Sequence, residues 1–260
     1  MEVRVNVLGI LQARVSSSRL PGKVLRPLLG APMIARQVER LRRARTLDAL
    51  VLATSIDPSD GPLAQWAQTA GLPVHRGSLD DVLDRFVTAA RPYRPAHVVR
   101  LTGDCPLADP AVIDLVVSTH LDVGGDYTSN ALEPTWPDGL DVEVVTMDAL
   151  EAAAREASAP YQREHVTQFI VQQPERFRLR NVPCERDLSA LRWTVDEPAD
   201  FELVEAIYGA LYASSPAFTT ADILDFLQHN PQWIAHNVHH PRNEGLARSI
   251  AREQQIQGRS

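Results

Sequence analysis

Arg14, Arg19 and Lys23 crowd into the stretch GILQARVSSSRLPGKVLRP, residues 9–27. It follows an apolar run, Val5 to Leu11, that predicts a buried strand. Three cations on a loop leaving a strand's carboxyl end suit a polyanion, because open α/β sheets bind their ligands there. Gly22 lets backbone approach a phosphate, Ser16 to Ser18 offer hydroxyl and amide donors, and Pro21 narrows the loop's conformations. Two standard nucleotide loops are excluded. Gly22-Lys23 is followed by Val24, and no glycine stands five places before Gly22, so this is not a Walker A loop. No G-x-G-x-x-G follows the strand either, which removes the main support for a dinucleotide dehydrogenase. The plainer alternative is a surface loop that happens to be basic.

A second constellation is acidic. Thr102-Gly103-Asp104-Cys105-Pro106-Leu107 follows an apolar run at 97–101, so Asp104 leaves a strand end as the basic loop does. A carboxylate there is what Mg²⁺ on a nucleoside triphosphate needs, since Mg²⁺ takes one or two protein carboxylates and fills its octahedron with phosphate and water oxygens. The alternative is a turn aspartate before Pro106. Cys105 has no identifiable histidine base and reads as a small packed residue. Asp141 and Glu143 fall on one face of a strand predicted over 140–146, where they could bind a second metal, hydroxyls or an acceptor amine, or form a solvent-facing acidic stripe. His236, His239 and His240 lack partners at ligand spacing and suggest a mobile tail.

The elements that must position these groups follow from periodicity. After the basic loop, Pro32 opens a helix with Ile34, Val38 and Leu41 on one face. A strand at 50–54, a helix at 62–70 and a strand at 72–75 complete a βαβαβ run, whose natural product is a parallel sheet with right-handed crossovers. Ser78 could cap a helix carrying Val82, Phe86 and Ala89, in which Asp81, Asp84 and Arg85 read as capping and surface pairing. Beyond the strand at 97–101 come helices at 110–120, 147–157 and 162–173 and strands at 126–130, 140–146, 176–182 and 191–195. Helices from 199 and over 220–229 follow, then a polar remainder.

Composition is ordinary for a soluble globular protein. Its 260 residues, 44% hydrophobic and 23% charged, suit one α/β domain. The net charge of -7 argues against general nucleic-acid binding and makes the basic loop stand out. Two cysteines suggest neither a disulfide framework nor a zinc site. No run approaches a membrane span and the first apolar run is too short for a secretory signal, so a soluble cytoplasmic protein is expected.

Gln12-Ala13-Arg14 with Ser18-Arg19-Leu20-Pro21-Gly22-Lys23 resembles the nucleotide-binding signature of the cytidylyltransferases that make CMP-activated sugar acids. These include CMP-KDO and CMP-sialic acid synthetases, and the SpsF-like branch is the nearer match. The resemblance continues through Arg76-Gly77-Ser78, the Thr102 to Leu107 motif, Asp138-Gly139-Leu140-Asp141-Val142-Glu143, Arg163-Glu164-His165-Val166-Thr167 and Leu191-Arg192-Trp193-Thr194-Val195-Asp196-Glu197-Pro198. It spans roughly residues 5 to 250.

The resemblance implies a Rossmann-like nucleotide-diphospho-sugar transferase fold, with a mostly parallel sheet flanked by helices. One domain would fill residues 1–250, with 131–190 an inserted acceptor-binding and dimerisation region and 251–260 a polar tail. It implies CMP transfer from CTP to an anionic acceptor, a sugar acid or a phosphonate, with pyrophosphate released, and a homodimer. Leu11, Gln12, Ala13, Arg14, Ser18, Arg19, Lys23, Arg76, Thr102, Gly103 and Asp104 would then contact nucleotide. Asn130, Asp138, Asp141, Glu143, Arg163, Glu164, His165 and Arg192 would serve the acceptor, and Asp196 would join Asp104 on Mg²⁺. Arg14, Arg19, Lys23, Asp104 and Asp196 are the catalytic candidates. A single histidine on a helix is more often structural than functional, Arg76 could be a solvated loop arginine, and Asp196 could merely favour a helix N-terminus. Two rival readings remain: a glycosyltransferase of similar architecture, whose usual D-x-D Asp104-Cys105-Pro106 lacks, and a non-catalytic nucleotide-binding module.

Overall fold

A computed structural model describes residues 5–17, 19–242 and 244–257. The central strand, β1 (Val7–Gln12), shows why a sheet forms with helices on both sides. Val7 and Leu11 point into one apolar layer and Leu8 and Ile10 into the other, all essentially buried. β1 lies between β4 (Ala49–Ser55) and β6 (His97–Thr102), parallel to both, and β5 (Val74–Gly77) extends the parallel block beyond β4. On the other side β8 (Glu143–Thr146) runs antiparallel to β6 and to β7 (Tyr127–Ser129), and β9 (Leu179–Asn181) pairs parallel with β7. The seven-stranded order is β5-β4-β1-β6-β8-β7-β9. A small hairpin, β2 (Pro27–Leu28) with β3 (Ala31–Pro32), follows the basic loop.

Helices α1 (Met33–Leu41), α2 (Gly61–Thr69), α4 (Pro110–Val123), α8 (Pro198–Leu211) and α9 (Thr220–His229) cover one face. The other is covered by α3 (Val82–Ala90), α5 (Met147–Glu156) and α7 (Gln168–Val171). The short helices α6 (Pro160–Glu164) and α10 (Gln232–Ala235) and the last, α11 (Glu244–Gln257), complete the helices of the described residues. The α/β class, the mostly parallel sheet and the flanking helices agree with the expectation. Residues 131–190 contribute β8 and β9 to the same sheet. No helix among the described residues is long and apolar enough to cross a membrane.

Four departures have physical causes. The strand expected at 191–195 is absent, apart from one bridge between Asp138 and Arg192, because its amides serve other loops. Trp193 and Thr194 donate to the Asp138 carbonyl (2.6 and 2.9 Å) and Val195 donates to that of Asp104 (2.8 Å). Gly139 permits the crossing: its φ is 108°, and a Cβ there would sit 2.5 Å from the Thr194 amide nitrogen. The strands expected over 126–130 and 140–146 are shorter, since the Asn130 side chain replaces the ladder, donating to Leu140 O and accepting from Val142 N, each at 2.8 Å. The helix expected over 162–173 breaks at buried Val166, whose φ is 56°. The polar C-terminal stretch is helical from Glu244, so residues 251–257 continue α11 and are not a tail.

Buried His120, paired with half-buried His97, ties β6 to α4 and β7. His120 Nε2 lies 3.0 Å from His97 Nδ1, and its Nδ1 lies 2.9 Å from Thr128 Oγ1. Burial, and then the neighbouring His97, lower the His120 pKa from 6.5 to about 4. The folded state therefore binds less proton than the unfolded chain, so this contribution is intact above pH 6.5 and is lost as pH falls toward 4. The full difference is on the order of 3 kcal/mol. Denaturant midpoints measured from pH 4 to 8 should fall across that window, and His120→Gln should flatten the fall. An unchanged profile in the variant would refute the assignment.

Candidate active site

The loop from Ala13 to Gly22 is folded before any ligand arrives. Ala13 N donates to Ala53 O at 3.2 Å, extending the β1–β4 ladder, and Gly22 N donates to Val15 O at 3.1 Å. Fully buried Asp60 accepts from Val15 N at 2.6 Å and from the Ser55 amide and hydroxyl, which pins the loop to the end of β4. Gly22, at φ 73°, turns the chain into a 3-10 turn that presents Lys23 inward. Ser18 lies outside the described residues. At the end of β6, Gly103 lets that loop touch this one, since an added Cβ would meet the Ala13 Cβ at 2.6 Å.

Lys23 stands where the loops converge. Its Nζ donates to Val195 O and Asp196 Oδ1, both at 2.7 Å, and to Asp104 Oδ2 at 3.4 Å. Burial pulls the ammonium's pKa down, but Asp104 and Asp196 outweigh it and hold the value above the ordinary lysine range. Burial likewise pushes Asp104 up, and Lys23 with a Thr102 hydrogen bond brings it below the usual aspartate value. Arg19 Nη2 meets Asp196 Oδ2 at 2.9 Å, and its Nη1 reaches Glu244 at 2.8 Å and Glu197 at 3.4 Å. Asp200, also fully buried, fixes this corner by accepting from the Asp196 and Glu197 amides, both at 2.9 Å, and from the Arg192 guanidinium.

These groups line a cleft of about 930 Å³. Of the expected nucleotide contacts, Gln12, Ala13, Arg14, Arg19, Lys23, Thr102, Gly103 and Asp104 lie on its wall. Leu11 does not, being wholly buried in the core beneath. Arg76 does not either: its Nε and Nη2 donate to the Ser55 and Asp57 carbonyls at 2.8 and 2.9 Å, bracing the loop after β4. Cys105 is packed, and burial raises its thiol well above the ordinary value, unlike a nucleophile.

The expected acceptor residues divide. Glu164 and His165 line the cleft, and burial lowers the His165 pKa, so its ring is neutral near pH 7. The rest bind other protein groups away from the wall. Arg163 Nη2 pairs with Asp81 at 2.6 Å while its Nη1 donates to Ala154 O at 2.7 Å, linking α3, α5 and α6. Glu143 takes Arg100, the Tyr127 hydroxyl and the Thr167 hydroxyl, the last two at 2.6 Å. Arg192 joins Asp138, Asp196 and Asp200, and Asn130 staples β7 to the start of β8. Asp141 pairs with Arg242, yet burial pushes its carboxyl up to about 7. It lies outside β8, so the shared strand face with Glu143 does not form.

Besides Arg100, Pro160 and Tyr161, sequence reasoning missed two further parts of the wall. Arg85 was read as a surface residue but is buried, makes no ion pair among the described residues, and has its pKa lowered to about 10 by burial and then by Arg14. Its position among apolar Val82, Phe86 and Ala89 carried no signal that its guanidinium would turn to the cleft. The other part is α11, which brings Gly245, Arg248, Ser249, Arg252 and Glu253 to the wall. The Glu244-to-Arg248 spacing, a helical i,i+4 pair, was the available clue.

A basic loop after β1 faces two carboxylates, one leaving β6 and one just before α8, at the carboxyl edge of a parallel sheet. Fold and site together define a nucleotidyltransferase. The sequence profile of cytidylyltransferases matches residues 8–215. The spore coat polysaccharide biosynthesis protein SpsF of Bacillus subtilis (strain 168) is 35% identical over 233 residues, 87% of this chain and 95% of that protein. A 3-deoxy-manno-octulosonate cytidylyltransferase from Anaeromyxobacter sp. (strain Fw109-5) is 38% identical over 147 residues, 54% of this chain and 58% of that one. The structure of a cytidylyltransferase from Leptospira borgpetersenii serovar Hardjo-bovis (strain JB197) aligns with a TM-score of 0.83 at 31% identity, covering 91% of this chain and 98% of that one. This chain belongs to the cytidylyltransferase family, and its reaction is CMP transfer from CTP to an acceptor.

Proposed function

We propose that the acceptor is a small anion, a sugar acid or related polysaccharide precursor or a phosphonate, and that transfer depends on Mg²⁺. The observation that carries the reading is the meeting of Lys23, Asp104 and Asp196 at one end of a cleft whose remaining wall is rich in arginine. The names of the SpsF and octulosonate relatives support a sugar-acid or polysaccharide precursor. Family likeness supports a homodimer in the cytoplasm.

Asp104 and Asp196 converge on one cation already, the Lys23 ammonium, so hard oxygen donors for a second stand close together. Two carboxylates suit Mg²⁺ when phosphate and water oxygens supply the remaining ligands. No group of three or more His, Cys, Asp or Glu forms an alternative site among the described residues. When bound, Mg²⁺ would neutralise phosphate charge and acidify an acceptor hydroxyl.

In this reading Arg14, Arg19 and Lys23 hold the β- and γ-phosphates, while Gln12, Ala13, Thr102 and Gly103 bound the nucleoside. An acceptor oxygen attacks the α-phosphorus, the bond to the bridging oxygen breaks, and pyrophosphate leaves with that electron pair. Such a transfer is driven by positioning and charge neutralisation, and the cations stabilise the departing pyrophosphate. Arg19 must exchange Glu244 for phosphate, because that carboxylate occupies its Nη1.

Pyrophosphate release should be assayed with each nucleoside triphosphate against 3-deoxy-manno-octulosonate, other sugar acids and 2-hydroxyethylphosphonate. CTP should be used, only with an anionic acceptor, and EDTA should abolish turnover. Failure of every acceptor with CTP, alongside turnover of a sugar nucleotide, would replace this reading with glycosyl transfer.

A further inference from the structure

The wall running from the phosphate loop to α6 is built in part by a segment that the family profile does not reach. α11 begins at Glu244, beyond the matched residues 8–215, yet Arg248, Ser249 and Arg252 all line the cleft. Arg248 and Arg252 stand one helical turn apart, so their side chains rise from the same face.

Polar bonds seat this helix; none of its side chains of described burial is fully buried. Ser249 Oγ donates to Glu164 Oε2 at 2.9 Å and lies 3.1 Å from His165 Nε2, which fixes the helix against α6. Just before α11, Arg242 pairs with Asp141 and donates to Trp136 O at 2.9 Å. Glu244 reaches Arg19 at 2.8 Å and also pairs with Arg248. The helix thus bridges the phosphate end of the cleft to the α6 side.

Its two arginines are available for a ligand. Arg248 has only Glu244 as a carboxylate partner, with 58% of its side chain exposed, and that partner is shared with Arg19. Arg252 makes no ion pair or hydrogen bond among the described residues. Three cations from the β1 loop already serve the triphosphate, and α11 stands on the side of Glu164 and His165. A guanidinium fork matches a carboxylate or a phosphonate equally well, and a pair one turn apart can grip either at two edges.

We infer that Arg248 and Arg252 bind the anionic group of the acceptor and so set acceptor choice, an inference that rests on the anionic-acceptor reading above. In that reading phosphate contacts stay with the β1 loop, and α11's arginines reach the nucleotide site only indirectly, through the Glu244 carboxylate that Arg248 shares with Arg19.

The test compares the full-length protein with Arg248→Ala/Arg252→Ala, using 3-deoxy-manno-octulosonate and 2-hydroxyethylphosphonate as separate acceptors and CTP as donor. Loss of two charge-assisted contacts should raise the acceptor KM about 100-fold, with the CTP KM changed by less than about threefold. Arg252→Lys alone should recover part of the loss, since it keeps charge but not the fork. The acceptor arm that shows the larger effect identifies the anion as carboxylate or phosphonate. Wild-type turnover with an acceptor KM unchanged in the double variant would overturn this inference while leaving the functional reading intact. Equal rises in both KM values would also overturn it, because they would mean that α11 only supports the cleft. No turnover by the wild type with either acceptor, or with any other anionic acceptor, would overturn both.

Discussion

Lys23→Ala should lower kcat/KM for CTP by about 10²- to 10³-fold, the size of loss seen when one preorganised donor to a developing anion is removed. The ammonium is nearly buried and meets two carboxylates and a carbonyl, so it is held in place before CTP binds. Charge that costs no reorganisation at the moment of reaction is worth more than charge recruited from solvent. Some stability should be lost as well, about 1–3 kcal/mol, because Asp104 and Asp196 would face each other without their shared cation. That loss is tempered by Arg19 and Arg192, which remain on Asp196. The measurement is steady-state pyrophosphate release together with a thermal melt. A folded variant with near-normal kcat/KM would show that the triphosphate lies elsewhere.

The isosteric changes Asp104→Asn and Asp196→Asn should each depress turnover by a similar factor and weaken the response to Mg²⁺. An amide keeps the size of the carboxylate but loses the charge that Mg²⁺ requires. The two differ in secondary effects. Asp196 also holds Arg19 and Arg192, so its loss disturbs the basic loop directly. The Asp104 carboxylate meets Lys23 at 3.4 Å while its backbone carbonyl accepts from Val195 N at 2.8 Å, so its loss should disturb Lys23 and the metal but leave Arg19 and Arg192 in place. Raising Mg²⁺ should therefore rescue Asp104→Asn more than Asp196→Asn.

Much of this architecture was legible before any coordinates. Apolar strand positions such as Val7 to Leu11, and Val98, Val99 and Leu101, are buried on both faces and left little freedom over sheet class. The cations of the β1 loop, Asp104 and Asp196 were recoverable because a parallel sheet gathers its strand ends on one edge, however distant they are in sequence. What failed were inferences about where a side chain spends its bonding capacity. Asn130, Glu143 and Arg163 are polar residues in motif-like surroundings, yet buried amides, hydroxyls and carboxylates elsewhere in the chain consume them. Arg76 is likewise taken up by two carbonyls, while Arg85, in an apolar helical pattern, faces the cleft. α11 was missed for a related reason: apart from the Glu244-to-Arg248 spacing, amphipathic periodicity could not reveal a helix seated by polar bonds and lacking a buried face among its described residues.

The most direct measurement is Mn²⁺ binding followed by electron paramagnetic resonance, in place of Mg²⁺, with and without CTP. The wild type should bind the ion tightly only when CTP is present, and Asp104→Asn/Asp196→Asn should lose that nucleotide-dependent binding while still taking up CTP without metal. Undiminished CTP-dependent Mn²⁺ binding in the double variant would contradict the shared site of Lys23, Asp104 and Asp196.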